Sequence, residues 1–189
     1  MKVNPYFIGI AGGSASGKTT FANQLAEQLK ERKVKVFHMD QYFKKEEDRP
    51  IQVSFMNQKS YRDDNSLQSF DLKQFYQDLK LAKQGTDEFI IIEGLFTLYD
   101  STIYNFLDLK IFIDCRADER IVRRLKRNMN RGLTFDEISQ VYLDLVRFRH
   151  DEFVENSKWK SDFIINGSKK FYKIISIIKL YLLNKKGSF

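Results

Sequence analysis

The stretch GIAGGSASGKTT at residues 9–20 constrains this chain more than any other. Gly12, Gly17, Lys18 and Thr19 fit the spacing GxxxxGK[ST], and the match follows an apolar, β-prone run and precedes a segment of helical period. Glycine lets the backbone curl so that successive N–H groups face phosphate oxygens, and the following helix adds the positive end of its dipole. In such a loop Lys18 reaches the β and γ phosphates and the Thr19 hydroxyl ligates Mg²⁺. The candidate nucleotide-binding residues are therefore Gly12, Gly13, Ser14, Ala15, Ser16, Gly17, Lys18, Thr19 and Thr20. A glycine-rich turn with an incidental lysine is the rival, and four fixed positions in the required setting outweigh it. The pattern leaves open whether the γ phosphate passes to water, a protein or a small molecule.

The rest of the chain supplies the frame such a loop needs. Short β-branched or aromatic runs at 6–11, 34–39, 89–92, 109–113 and 163–165 alternate with helix-period segments, the pattern of βαβ units around a parallel sheet. IIIE and IFID lack the alternation of a strand with one wet face, so these strands are expected to be buried on both sides. Phe21, Leu25 and Leu29 mark one helix, Leu72, Phe75, Tyr76 and Leu79 a second, and residues 117–130 a third. Thr134 and Glu137 have capping-box spacing, opening a long helix with Ile138, Val141, Tyr142, Leu145 and Val146. A last helix is expected over 169–183. No repeat or linker divides residues 1–189, which predicts one domain. The stretch 44–66 has no convincing periodicity and reads as a long, functional loop.

In an open parallel sheet ligands collect at the carboxyl ends of strands. Asp40, Glu93 and Asp114 each close a run. The first two can serve as acceptor base and metal-side carboxylate, while Asp114 suits a helix cap. Gly94 is expected to let the backbone approach the phosphates. Downstream, RADERIVRRLKRNMNRG places Arg120, Arg124, Arg127 and Arg131 at i, i+4, i+7 and i+11, one helical face. Beside a phosphate loop this face reads as a lid over 116–132 that stabilises charge on the transferring group, hinged at Gly132.

Charge and composition narrow the alternatives. The net charge of +7 arises in two segments, 116–131 and 158–189, each basic by at least five charges, so the total is not a dispersed nucleic-acid footprint. The single cysteine, Cys115, forms no internal disulfide, and MKVNPYFIGIAGG has no long apolar core, so a soluble, cytoplasmic protein is expected. No apolar run approaches the roughly 20 residues that span a bilayer. The terminal helix pairs Lys169, Lys170, Lys173, Lys179, Lys185 and Lys186 with Phe171, Ile174, Ile175, Ile178 and Leu182. One face packed on the core explains it more simply than a membrane or nucleic-acid surface.

With these segments in place, the chain resembles the uridine kinase family of P-loop small-molecule kinases over residues 7–166. GIAGGSASGKTT resembles its phosphate loop, MDQYF its DxFY motif, IIEGLFTL its EGI-type strand end and DLKIFIDCRADERIVRRLKRNMNRG its fourth strand and lid. VYLDLVRFRHDEFVENSKWKSDFIING is similar to its late helix and following strand. The resemblance implies an α/β P-loop NTPase fold, a five-stranded parallel sheet with helices on both faces and an arginine-rich lid helix. It implies ATP or GTP as donor, Mg²⁺ and a nucleoside 5′-hydroxyl as acceptor, in a family whose members often assemble into homo-oligomers. Carried over by position, Asp40 is the base, Lys18, Arg124 and Arg127 act on the phosphates with Arg131, and Thr19, Glu93 and Asp40 form the metal side. Tyr42, Phe43 and one of Asp63, Asp64 and Asn65, Asp64 foremost, fall on the acceptor side with Asp40.

The departures lie on that side. The family's hairpin between second helix and third strand has no counterpart in QGTDE, DQYF puts the phenol at Tyr42, NRGL replaces ERGR, and Val141 stands where a glutamine is expected. Donor chemistry is thus implied more firmly than uridine as acceptor. Kinases of another small alcohol, such as nicotinamide riboside or pantothenate, and a nucleotide-sensing module without turnover stay open as alternatives.

Overall fold

The computed structural model describes residues 4–54 and 56–187. Residues 1–3 of the N-terminal stretch, Phe55 of the 44–66 stretch and the last two residues lie outside it. Five parallel strands form one sheet: β1 (Tyr6–Gly12), β2 (Val34–His38), β5 (Phe89–Glu93), β6 (Leu109–Asp114) and β7 (Phe163–Asn166), in the order β2-β5-β1-β6-β7. All five expected runs are strands. β5 is buried at every position and β1 at all but its first, because both sheet faces are covered.

Alternation along β1 separates two cores. Ile8 and Ile10 face α1 (Lys18–Gln28) and α7 (Tyr172–Gly187), with Phe21, Leu25, Phe171 and Ile178. Phe7 and Ala11 face the other side, where Phe75 and Leu79 of α2 (Leu72–Lys83), Phe96, Leu98 and Ile103 of the short α3 (Ser101–Tyr104) pack with Val154. Phe21 meets Phe171 edge-on at 5.2 Å, joining α1 to α7 behind the loop; burial of each such ring stabilises by about 1.5–3 kcal/mol. α7 starts later than expected, so Lys169 and Lys170 lie in the preceding loop.

The arginine segment is α4 (Ala117–Met129), and the capping box at Thr134 and Glu137 opens α5 (Phe135–Val141). That helix continues through two π-helical turns, Tyr142–Val146 and His150–Val154, separated by α6 (Arg147–Arg149). Such turns widen a helix locally and cluster at functional sites. The stretch 44–66 is more ordered than a loop: β3 (Ile51–Val53) and β4 (Ser60–Arg62) form an antiparallel hairpin. Gln52 and Arg149, and Tyr61 and Asp144, fasten it to the late helical segment. Among the described residues no helix is long and apolar enough to cross a membrane.

Candidate active site

The loop between β1 and α1 turns at the carboxyl edge of the central strand. Gly12, Ala15 and Gly17 take φ of 145°, 63° and 107°, a left-handed course that an alanine adopts at a cost of roughly 1–2 kcal/mol. At Gly13 a Cβ would lie 2.5 Å from Arg120 Nη1 and 2.9 Å from His150 Cε1, so only glycine lets these side chains pack under the loop. α1 carries no side-chain cap and no acidic residue in its first turn. Its first N–H groups are left for an anion.

A cleft of about 1450 Å³ opens over this loop, larger than a typical pocket for one small ligand and roomy enough for two substrates. Ser14, Ala15, Gly17, Lys18, Thr19 and Thr20 line it, as do Asp40, Phe43, Asp64, Glu93, Arg124, Arg127 and Arg131. Gly12, Gly13 and Ser16 shape the loop from behind; Ser16 is fully buried, its hydroxyl without a partner. Lys18 is buried and its ammonium donates to the Gly13 carbonyl at 3.2 Å. Burial pushes it below its ordinary value, Glu93 and Asp40 oppose the shift, and Arg127 and Arg120 add to it.

The arginine stripe splits by depth. Arg120 is buried, its Nε donating to the Cys115 carbonyl, while Arg124 and Arg127 both reach Ser14 Oγ, at 3.1 and 3.4 Å. Arg124 Nε is buried without a partner among the described residues. Burial and the neighbouring Arg127 lower the Arg124 guanidinium, and burial with Arg131 lowers Arg127. Among the described residues, Lys18, Arg120, Arg124, Arg127 and Arg131 form no ion pair with a carboxylate. Five cations gathered without a direct ion pair repel one another, only partly offset by Glu93, Asp40 and Asp64, and an anion that joins them relieves this. Arg124→Ala and Arg127→Ala should each lower turnover about 10²-fold while changing nucleotide affinity far less, as steady-state kinetics beside calorimetric ADP binding will show. Equal losses in both would mark simple anchoring.

Facing the cations, Thr19 Oγ1 donates to Glu93 Oε1 at 2.9 Å, and His38 Nδ1 meets the same oxygen at 2.9 Å. Asp40 stands at the cleft mouth in the 3-10 turn Met39–Tyr42. Desolvation by the cleft walls raises its carboxyl above the ordinary value, Lys18 opposes this and Glu93 adds to it. Phe43 stacks on Phe70 at 4.3 Å under the Arg49 guanidinium, which pairs with Asp64 at 3.0 Å. No group of three or more His, Cys, Asp and Glu side chains able to hold a metal converges among the described residues. Thr19, Glu93 and Asp40 nonetheless suit Mg²⁺, which keeps its waters and takes phosphate oxygens rather than an all-protein cage.

Several expectations need correction. Tyr42 turns away from the cleft: its hydroxyl donates to Asp78 at 2.7 Å and its ring packs on Phe75. Asp63 is buried, paired with Arg149 at 2.7 Å, leaving Asp64 and Asn65 on the cleft. Asp114 caps nothing; Arg116 is the cap residue of α4, and Asp114 lies 3.7 Å from Lys158. A Cβ on Gly94 would meet Met39 at 2.5 Å, so this glycine admits a core side chain rather than a phosphate. His38, Arg49, His150 and Arg149 also belong to this neighbourhood, and no motif or spacing in the sequence marks them.

Because lysine, hydroxyl and strand-end carboxylate converge on one glycine loop at the carboxyl edge of a parallel sheet, fold and site together define a P-loop nucleotide-binding protein. The profile of the Phosphoribulokinase / Uridine kinase family matches residues 7–88 and 82–170, and the chain belongs to that family. It is 32% identical over 184 residues to a uridine kinase of Bacillus pumilus, covering 87% of this chain and 88% of the relative. A Staphylococcus epidermidis uridine kinase is 32% identical over 200 residues, 95% and 97% of the two chains. Solved structures share the fold at low identity. A protein of Silicibacter sp. TM1040, named for a fructose transport system kinase, aligns with TM-score 0.63 and 16% identity over 85% of this chain and 89% of its own. APE1195 aligns with TM-score 0.60 and 17% identity over 95% and 96%.

Proposed function

We propose that this protein is a Mg²⁺-dependent phosphotransferase that moves the γ phosphate of ATP, or of GTP, to a hydroxyl of a small molecule, foremost the 5′-hydroxyl of a nucleoside. One observation carries this reading: unpaired cations converge on the phosphate loop opposite Asp40 and Glu93, so one cleft joins an anion cradle to a base and a metal-side carboxylate. In this assignment loop residues 12–20 and Arg131 hold the nucleotide. Lys18, Arg124 and Arg127 meet charge that develops on the transferring group. Thr19, Glu93 and Asp40 would form the metal side that holds Mg²⁺, which would supply charge to offset that of the phosphates. Asp40 takes the acceptor proton, beside Phe43 and Asp64. A sensing module without turnover would have no need of both carboxylates, and both are in place.

For the acceptor, the relevant feature is what surrounds Asn65 and Leu95. The space behind them, toward Tyr142, Arg149 and His150, is about 10 Å³, room for a water and not for a base. Leu133 is exposed and Val141 half-buried where polar base contacts are expected. A site without buried groups paired to the base cannot reject close analogues strongly. Turnover over KM measured for uridine, cytidine, adenosine, guanosine and nicotinamide riboside should therefore differ by less than about a thousandfold. A sharper uridine preference would place base contacts in the β3–β4 hairpin, whose strand residues do not line the cleft.

A further inference from the structure

His38 has no place in the assignments above, yet the sheet brings it to their centre. β2 and β5 pair in parallel with Val34 opposite Phe89 and His38 opposite Glu93, so the last residues of the two strands stand side by side at the carboxyl edge. The Glu93 side chain is only 5% exposed. Its Oε1 accepts from Thr19 Oγ1 and faces His38 Nδ1, each at 2.9 Å. An ionised carboxylate only accepts, so Nδ1 carries the proton of the second bond. Among the described residues nothing donates to Oε2, which is absent from the buried unpartnered atoms and thus opens to the cleft. The two donors therefore fix which oxygen is presented.

The neighbouring charge gives that choice its weight. Lys18 is buried beside Glu93 and feels its charge, yet its ammonium bonds the Gly13 carbonyl and makes no ion pair with the carboxylate. Held by Thr19 alone, the carboxylate could rotate about its last torsion and close on Lys18. That pair would take the lysine from the phosphates and the carboxylate from the metal side together.

We propose that His38 is a positioning residue: by donating Nδ1–H to Glu93 Oε1 it shares with Thr19 the holding of that carboxylate, so that Oε2 faces the metal side and Lys18 stays free for phosphate. The proposal rests on the phosphotransferase reading and adds to it a residue that acts through Glu93. Partners that orient a metal-side group typically change metal affinity or activity by about 10- to 100-fold when removed.

The test is calorimetric titration of ADP into the full chain with and without Mg²⁺, for the parent, His38→Ala, His38→Asn and His38→Gln. The Asn amide nitrogen falls where Nδ1 lies, whereas the Gln amide falls where Nε2 lies. Mg²⁺ should tighten ADP binding to the parent. His38→Ala should lose about tenfold of that gain, with metal-free ADP binding little changed; His38→Asn should restore it and His38→Gln should not. An undiminished Mg²⁺ gain in His38→Ala, or equal rescue by Gln and Asn, overturns the proposal and leaves the phosphotransferase reading standing. A parent without any Mg²⁺ gain overturns that reading and the proposal with it. If His38→Ala fails to fold, the Asn and Gln pair decides alone. In the ligand-free protein the imidazole ¹⁵N spectrum should show Nδ1 protonated, and an unprotonated Nδ1 overturns the proposal independently.

Discussion

Lys18→Met should lose phosphoryl transfer by about 10³-fold or more while the ligand-free fold becomes no less stable. Two properties of the site lead to this pairing. Among the described residues no other cation shares the position of the Lys18 ammonium at the loop: Arg124 and Arg127 approach from α4 and end on Ser14, and Arg120 is committed to the Cys115 carbonyl. None of them can follow a phosphate from donor to acceptor in its place. The ammonium is also buried, and burial lowers its affinity for the proton relative to the unfolded chain. A lysine lowered in this way costs the fold stability at every pH where it stays charged, and the cost fades only as pH rises toward the ordinary lysine value. Methionine keeps the apolar stem and drops the charge, removing that cost at neutral pH. A coupled assay at saturating ATP, beside thermal melts at neutral and alkaline pH, checks both halves. Turnover within tenfold of the parent would remove Lys18 from the chemistry. A melting temperature well below the parent's at pH 7 would show the ammonium to be structural.

How much of this was legible in the sequence depended on the range of the interaction. The phosphate loop, the five strands and the capping box at Thr134 are local, written in residues a few positions apart, and stand as read, except that burial holds for β1, β5 and β6 and fails at the edges of the sheet, where β2 and β7 leave most positions partly or fully exposed. The hairpin was not legible, because β3 and β4 have three residues each, too few for a period of two to emerge. What holds it is long-range: Gln52 to Arg149 and Tyr61 to Asp144 link residues more than 80 positions apart. Tyr42 shows a different failure. The motif correctly brings an aromatic pair to the end of β2, but the 3-10 turn Met39–Tyr42 aims one ring at α2 and the next at the cleft. Spacing on α4 likewise found one arginine face but not its slope, which sinks Arg120 beneath Gly13 and leaves Arg131 at the rim. His38 is the extreme case. Nothing in VKVFHMD marks it, and only the register that sets it opposite Glu93 gives it meaning.

Asp40→Asn should lower turnover by about 10²- to 10⁴-fold, the usual worth of a positioned general base. Asp40 is the carboxylate free to meet an acceptor: it stands at the cleft mouth with no ion pair or side-chain hydrogen bond among the described residues, whereas Glu93 is held by Thr19 and His38 and Asp64 by Arg49. Its pH behaviour follows from its surroundings. The cleft walls raise its carboxyl above the ordinary value against the pull of Lys18, so the proton is lost at higher pH than from an exposed aspartate. A base must be ionised to act, so the parent's turnover should fall as pH drops through that raised value, and the variant should lack this acid limb. Lys18→Met removes the opposing cation and should carry Asp40 upward, a shift readable by NMR of the carboxyl carbon where turnover is lost. Asp40→Asn separates the two roles assigned to this residue, base and metal side. If Mg²⁺-dependent ADP affinity falls in step with turnover, Asp40 serves the metal and the proton leaves by another group. If affinity holds while turnover collapses and the acid limb disappears, the carboxylate at the end of β2 is the base.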